Sequence, residues 1–262
     1  MVTYASALVT GASSGIGQSL ARRLAVQGTD VVVVARRAGR LEELAEELRS
    51  RHGVSVEVLP ADLTVPEELD TVAKRLAVAE RPIDLLVNNA GAGSRPPHPL
   101  VDQPLDHELG KVELNVVAPL RLTHAALSAF LPRRHGGILN VSSIAGFLPQ
   151  PQGATYAASK AFMTSMTETV YCEARRSGVH VTVVCPGFVR RGEGGADGGT
   201  RSFRLPESFW LDRDDVAREA IEAVQTGRPI CIPGRPYRAA IALSRVLPRA
   251  VSRRAFERLW AR

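Results

Sequence analysis

The sequence predicts a doubly wound α/β domain of about seven parallel strands with helices on both faces of the sheet. Short apolar segments alternate with helix-like stretches along nearly the whole chain, the βαβ pattern of a parallel sheet. Several of those segments, Val31-Val-Val-Val34 most plainly, are apolar at every position, as expected of strands covered on both faces. A glycine-rich turn also joins the first strand to the first helix, where open sheets of this kind bind ligands. No linker-like stretch and no internal repeat divides the 262 residues. One domain is therefore expected over 1–234, holding a loop at 188–211 and followed by a basic amphipathic tail at 235–262.

Ala5–Thr10 reads as the first strand, and helical character runs from Gln18 to Gln27. Between them Gly11, Gly15 and Gly17 let the backbone turn sharply and let a phosphate approach without meeting a Cβ. The helix N-terminus behind this loop offers free N–H groups and the positive end of its dipole. A strand–loop–helix of this form makes Gly11, Ser13, Ser14, Gly15, Ile16 and Gly17 the expected cradle of a dinucleotide pyrophosphate. The second strand ends in Arg36-Arg37, where an NAD site commonly carries an acid for the ribose 2′-hydroxyl. Arginine suits a 2′-phosphate through its two-pronged geometry, so NADP(H) is expected, with NAD(H) as the alternative.

Leu41, Leu44, Ala45 and Leu48 make the apolar stripe of a helix. Val54–Val58 alternates as a strand and leads to Asp62-Leu63, where a carboxylate could meet the adenine. A helix over Glu67–Ala79 precedes the strand Ile83–Val87, which delivers Asn88, Asn89, Ala90 and Gly91 to the ligand-binding edge. A long helix is expected from Leu105 to Leu131; it contains Asn115, an amide in apolar surroundings that needs partners. Gly137–Val141 is the fifth strand and delivers Ser142-Ser143. The following helix carries Tyr156 and Lys160 four positions apart on one face, and it is apolar almost all round. A cation beside a phenol favours the phenolate, so the pair predicts a Tyr156 pKa drawn down towards working pH. Val179–Cys185 closes on Pro186-Gly187, a helix spans Asp212–Thr226, Ile230–Ile232 is a last strand, and an amphipathic helix is expected over Ala239–Trp260.

The chain contains 45% hydrophobic residues, few of them aromatic, which suits a layered core of Val, Leu, Ile and Ala. The formal net charge of +6 is concentrated in arginines of the tail. No base-reading or stacking module accompanies them, so no nucleic-acid role is expected. The start of the chain lacks a signal-peptide pattern and no apolar run approaches the roughly 18 residues that span a bilayer, so a cytoplasmic protein without membrane association is expected. Cys172, Cys185 and Cys231 are expected as buried free thiols. No metal site is expected.

Thr10-Gly-x-x-x-Gly-x-Gly17, Asp62, Asn88-Asn-Ala-Gly91, Asn115, Ser143, Tyr156-x-x-x-Lys160 and Pro186-Gly187, in this order and spacing, resemble the short-chain dehydrogenase/reductase family over nearly the whole chain. The resemblance implies an oxidoreductase interconverting a carbonyl and an alcohol. In it Tyr156 is the acid/base, Ser143 binds the substrate oxygen, Lys160 holds the nicotinamide ribose and Asn115 positions a water of the proton relay. Asn89, Ala90, Gly91, Tyr156, Lys160, Pro186 and Gly187 line the cofactor. The chemistry agrees: an oxygen on which charge develops receives two hydroxyl donors while the cofactor supplies the hydride. Lysine occurs only at 74, 111 and 160, and one of the three falls where a compact ammonium is wanted.

Arg191 stands where the family often has a threonine that holds the nicotinamide carboxamide. The segment 188–211, rich in glycine and then aromatic, is expected as a lid. Phe147, Leu148, Pro149 and the aromatics near 203–210 point to a small-molecule substrate that is a bulky apolar ketone, whereas Arg190, Arg191, Arg201 and Arg204 leave an acyl thioester as the alternative. The resemblance further implies a homodimer or homotetramer built on the two central helices. A catalytically silent regulatory protein of the same fold is the rival reading, and it leaves the presence of Tyr156 unexplained.

Overall fold

The computed structural model describes residues 1–93, 99–190 and 206–246. Seven strands form one parallel sheet: β1 (Ser6–Thr10), β2 (Asp30–Ala35), β3 (Val56–Pro60), β4 (Leu85–Asn88), β5 (Gly136–Val141), β6 (Val179–Val184) and β7 (Ile230–Cys231), in the order β3-β2-β1-β4-β5-β6-β7. The helices are α1 (Gly15–Val26), α2 (Ala38–His52), α3 (Pro66–Leu76), α4 (Leu105–Val112), α5 (Ala118–Arg133), α6 (Ala154–Ala174), α7 (Arg213–Gln225) and α8 (Arg235–Val246).

The uninterrupted apolar strands divide their side chains between two cores, because successive residues point to opposite faces. Ala7, Val9, Val31, Val33, Leu85 and Val87 pack with leucines of α1 and α2 and with Val216 and Ile221 of α7. Leu8, Val32, Val34, Leu86 and Ile138 pack on the other face with α3, α5 and Ala174 of α6.

Strand order reverses between β1, which continues outward to β2, and β4, which continues to β5 and β6. At that switch point the C-terminal ends of the strands present the glycine loop, Asn89–Gly91, Ser143 and Pro186-Gly187 along one edge. The opposite edge is fastened by a buried acid. Asp84 accepts from Ala5 N at 3.1 Å, lies 3.6 Å from Arg133 Nη1, and sits beside Arg133 Nη2, which donates to Ile83 O at 2.6 Å.

Four expectations change. The stretch expected as one helix over Leu105–Leu131 is α4 and α5 joined by a π-helical turn at Glu113–Val117, which holds the buried Asn115. This composite, Leu105–Arg133, includes an 18-residue window of mean hydropathy 1.3, long and apolar enough by composition to cross a membrane, although no such run was expected. Here it lies on the sheet, with Leu122, Ala126 and Phe130 in the core. Cys185 and Cys231 are buried free thiols, but Cys172 is exposed, because its position on α6 turns away from the sheet. The tail begins as helix earlier than expected, at Arg235, and 247–262 lies outside the described residues, as does most of the expected lid, 191–205.

Candidate active site

The glycine loop is held by its neighbours in the fold. Thr10 Oγ1 accepts from Asn89 N at 3.0 Å and Ala90 N at 3.1 Å, and Asn89 Nδ2 donates to Thr10 O at 2.9 Å. A Cβ on Gly17 would lie 2.3 Å from Asn89 Nδ2 and 2.4 Å from Gly11 O, so only glycine lets the loop fold back on itself. Gly15 differs: its φ is +60° and nothing lies within 4 Å of where a Cβ would stand. Behind it α1 starts without a side-chain cap and without an acid in its first turn, so its amides face the opening. This cradle fits a pyrophosphate.

Beyond the loop, both arginines after β2 are exposed. Arg37 Nη2 donates to Ser13 Oγ at 3.2 Å, which swings its guanidinium towards the loop. Arg36 Nη1 stands 3.6 Å from Asp62 Oδ2, while Asp62 Oδ1 accepts from Thr64 N and Thr64 Oγ1. Burial works to raise the Asp62 pKa, but the Thr64 bonds and Arg36 outweigh it and hold the carboxyl below its usual range. Leu63 is buried in the core, which leaves only its backbone to face a ligand.

Ser143, Tyr156 and Lys160 converge from two elements. Ser142, at the end of β5, donates from Oγ to Lys160 O at 2.8 Å. Four residues on, a Cβ at Gly146 would lie 2.8 Å from Lys160 C and O, so the turn Ile144–Gly146 sits directly on the α6 backbone. This docking places the Ser143 hydroxyl in a hydrogen bond with the Tyr156 phenol. Ser143 Oγ also accepts from Ala145 N at 3.2 Å and lies 3.5 Å from Pro186 O. One turn below Tyr156, the Lys160 ammonium stands 5.8 Å from the phenol ring centroid and donates to Val141 O at 2.9 Å.

Burial lowers the Lys160 pKa to about 8 and raises that of Tyr156, against which the Ser143 hydrogen bond works. The expected fall in the Tyr156 pKa is therefore absent. Lys160 spends its hydrogen bond on Val141 rather than on the phenol oxygen, and desolvation of the phenolate prevails. At neutral pH the pair is a protonated phenol above an ammonium.

Asn115 completes the group in the π turn. Its Oδ1 accepts from Ala92 N at 2.8 Å, and its Nδ2 donates to Ala92 O at 2.9 Å and to Ser159 Oγ at 3.1 Å. It thus ties the segment that follows β4 to α6, and Gly91 allows the approach: a Cβ there would lie 3.2 Å from Asn115 Oδ1 and 3.5 Å from Lys160 Nζ. Asn88 has a structural part, donating from Nδ2 to Asn140 Oδ1 and Thr123 Oγ1.

Two contributions were missed from the sequence. Lys111 and Glu108 form a buried ion pair on α4, and Glu108 also bonds Thr155, the residue before Tyr156. Tyr237 of α8 lies over Gly187. Arg190 pairs with Glu207, so of the four arginines considered for an acyl thioester the one described is already engaged; Arg191, Arg201 and Arg204 lie outside the described residues, as does Phe203.

The short chain dehydrogenase family profile matches residues 5–194. An uncharacterised oxidoreductase of Staphylococcus saprophyticus is 34% identical over 220 residues, 84% of this chain and 90% of that protein. A short-chain dehydrogenase of Sphingobium yanoikuyae in complex with NADPH superposes with a TM-score of 0.81 at 33% identity, covering 93% of this chain and 96% of that one. The bulky-bulky ketone specific alcohol dehydrogenase of Comamonas testosteroni does so with a TM-score of 0.78 at 31% identity, over 95% and 97% of the two chains. The chain belongs to the short-chain dehydrogenase/reductase family and is an NAD(P)-dependent oxidoreductase acting on CH–OH groups.

Proposed function

We propose that the protein is an NADP(H)-dependent reductase of bulky, apolar ketones or aldehydes, with Tyr156 as proton donor. The observation that carries this reading is the meeting of the Ser143 and Tyr156 hydroxyls beside a buried ammonium at the ligand-binding edge of the sheet. Both hydroxyls donate to the substrate oxygen, whose negative charge grows as the carbonyl is reduced. The bound cofactor supplies the hydride. Tyr156 gives its proton to that oxygen, and its raised pKa keeps the proton in place until then. Lys160, charged below about pH 8, favours the phenolate left behind and, by the family likeness, would hold the nicotinamide ribose.

Arg36 and Arg37 support the NADP(H) preference, since neither the end of β2 nor Asp62, already held by Thr64 and Arg36, offers a free acid to a 2′-hydroxyl. For the substrate, Phe188 and Trp210 meet with ring centroids 5.9 Å apart, an apolar pair on the segments that follow Pro186-Gly187. The NADPH-bound and ketone-specific relatives support the same reading by analogy.

The test is NADPH oxidation across a panel of bulky ketones and aldehydes with Tyr156→Phe alongside. Wild type turns over, and the variant loses roughly a hundredfold or more in kcat, the usual worth of a positioned general acid. Equal inertness of both proteins, with NADPH still bound tightly, makes this a regulatory binding protein instead.

A further inference from the structure

Tyr237 stands on the first turn of α8, in the part of the chain after the last strand, and yet it is only 4% exposed. Its hydroxyl is used twice: Oη accepts from Phe188 N at 3.0 Å and donates to Phe209 O at 2.6 Å. Those two residues lie on the two segments, Phe188–Arg190 and Glu207–Leu211, that flank 191–205. The segments are also joined by Arg190 N to Leu211 O and Leu211 N to Phe188 O, each at 2.8 Å, by the Arg190–Glu207 ion pair and by the Phe188–Trp210 ring contact. The Phe209 ring meets the Tyr237 ring edge-on with centroids 5.8 Å apart. The Tyr237 ring also covers Gly187 so closely that a Cβ there would lie 2.1 Å from it. Gly187 follows Pro186, whose carbonyl accepts from Ile144 N at 3.0 Å and lies 3.5 Å from Ser143 Oγ. Gly234, at φ +85° and with a Cβ position 2.8 Å from a Leu211 methyl, allows the chain to turn into α8 against the same segment.

We infer that Tyr237 is a positioning residue for the substrate side of the site: its hydroxyl pins Phe188 and Phe209 together, while its ring holds Gly187, and through Pro186 the Ser143 turn, in place. The inference rests on the function proposed above and adds to it a residue outside the motifs of the family. The two halves of the side chain act on different things. The hydroxyl bears on the Phe188–Trp210 pair against which a substrate would lie. The ring bears on Gly187, next to Pro186 and through it the Ser143 turn.

Tyr237→Phe keeps the ring and removes only the hydroxyl, leaving the Phe188 amide and the Phe209 carbonyl without this partner. The expected result is a rise of about tenfold in the carbonyl KM, with kcat and the NADPH Kd within about twofold of wild type. Hydrogen exchange at the Phe188 amide, followed in the same protein, quickens by about tenfold or more as its acceptor is lost. A merely structural tyrosine would instead lower the melting temperature and the active fraction, so that kcat falls with KM unchanged; that outcome, or unaltered exchange at Phe188, overturns the inference. A loss of NADPH affinity as large as the change in KM overturns the division between hydroxyl and ring. A wild type that reduces no carbonyl at all defeats the proposed function, and the inference with it, whereas an active wild type with an unchanged KM in Tyr237→Phe defeats the inference alone.

Discussion

Arg36 and Lys160 are the two residues whose chemistry sets how the site responds to its surroundings. Arg36 is exposed and lies near one weak partner, Asp62, at 3.6 Å, so little holds it back from an incoming phosphate. Losing an arginine–phosphate pair costs on the order of 1.5–3 kcal/mol, roughly ten- to a hundredfold in affinity. Titration of both cofactors against wild type and Arg36→Asp is expected to show NADPH preferred in the first and that preference lost in the second; equal affinities in the wild type contradict the assignment. Lys160 is governed by burial, which brings its pKa from 10.5 to about 8. Reductase activity is therefore expected to decline as pH rises through about 8 and the ammonium discharges. In the cofactor-free protein the sign for stability is opposite. Between about pH 8 and 10.5 the unfolded chain holds a proton that the folded one has released, so folding gains on Lys160→Met across that window, by up to about 3 kcal/mol. Denaturant midpoints of the two proteins at pH 7.5 and pH 10 measure this, and a constant difference refutes it.

Among the elements, α4 and α6 leave apolar surface facing outward. Leu105 is 70% exposed and Leu109 52%, and on α6 the exposed residues include Ala158 and Ala161 while Ser159, Lys160, Thr164 and Thr167 point inward. This inversion, with hydroxyls turned to the sheet and alanines to the outside, suits a helix that meets a second copy of the chain. Light scattering is expected to find a dimer or tetramer, and Leu105→Glu with Leu109→Glu to yield monomers; a monomeric wild type ends the idea. A chain cut after residue 246 keeps Tyr237 and is expected to stay oligomeric. The elements themselves were largely legible, because each apolar run and each glycine acts locally. The break between α4 and α5 was not. Asn115 there bonds Ala92, 23 positions back, and Ser159, 44 positions on, and no local pattern carries that information. Cys172 misled for a related reason: apolar neighbours on α6 meant a face turned outward, not a buried one.

At the scale of the whole molecule, the order of the motifs disclosed the site before any geometry did. The sheet brings Gly11, Asn89, Ser143 and Pro186 to one edge because each follows a strand in a parallel sheet, and that rule is visible in sequence. What joins the last part of the chain to that edge is not visible, since Tyr237 lies 49 positions from Phe188 and belongs to no recurrent motif. The opposite edge, where Asp84 gathers Ala5 and Arg133, has the reverse character: it holds the sheet together and touches nothing that reacts. Strands of five or six residues, such as β1 and β5, set these edges apart by about 17–20 Å. Changes made at such a distance combine almost independently. The amino edge is thus a place where an engineer, or natural drift, can raise or lower the durability of the protein while its reaction is left alone, and the carboxyl edge can be reshaped for new substrates by drawing on that reserve.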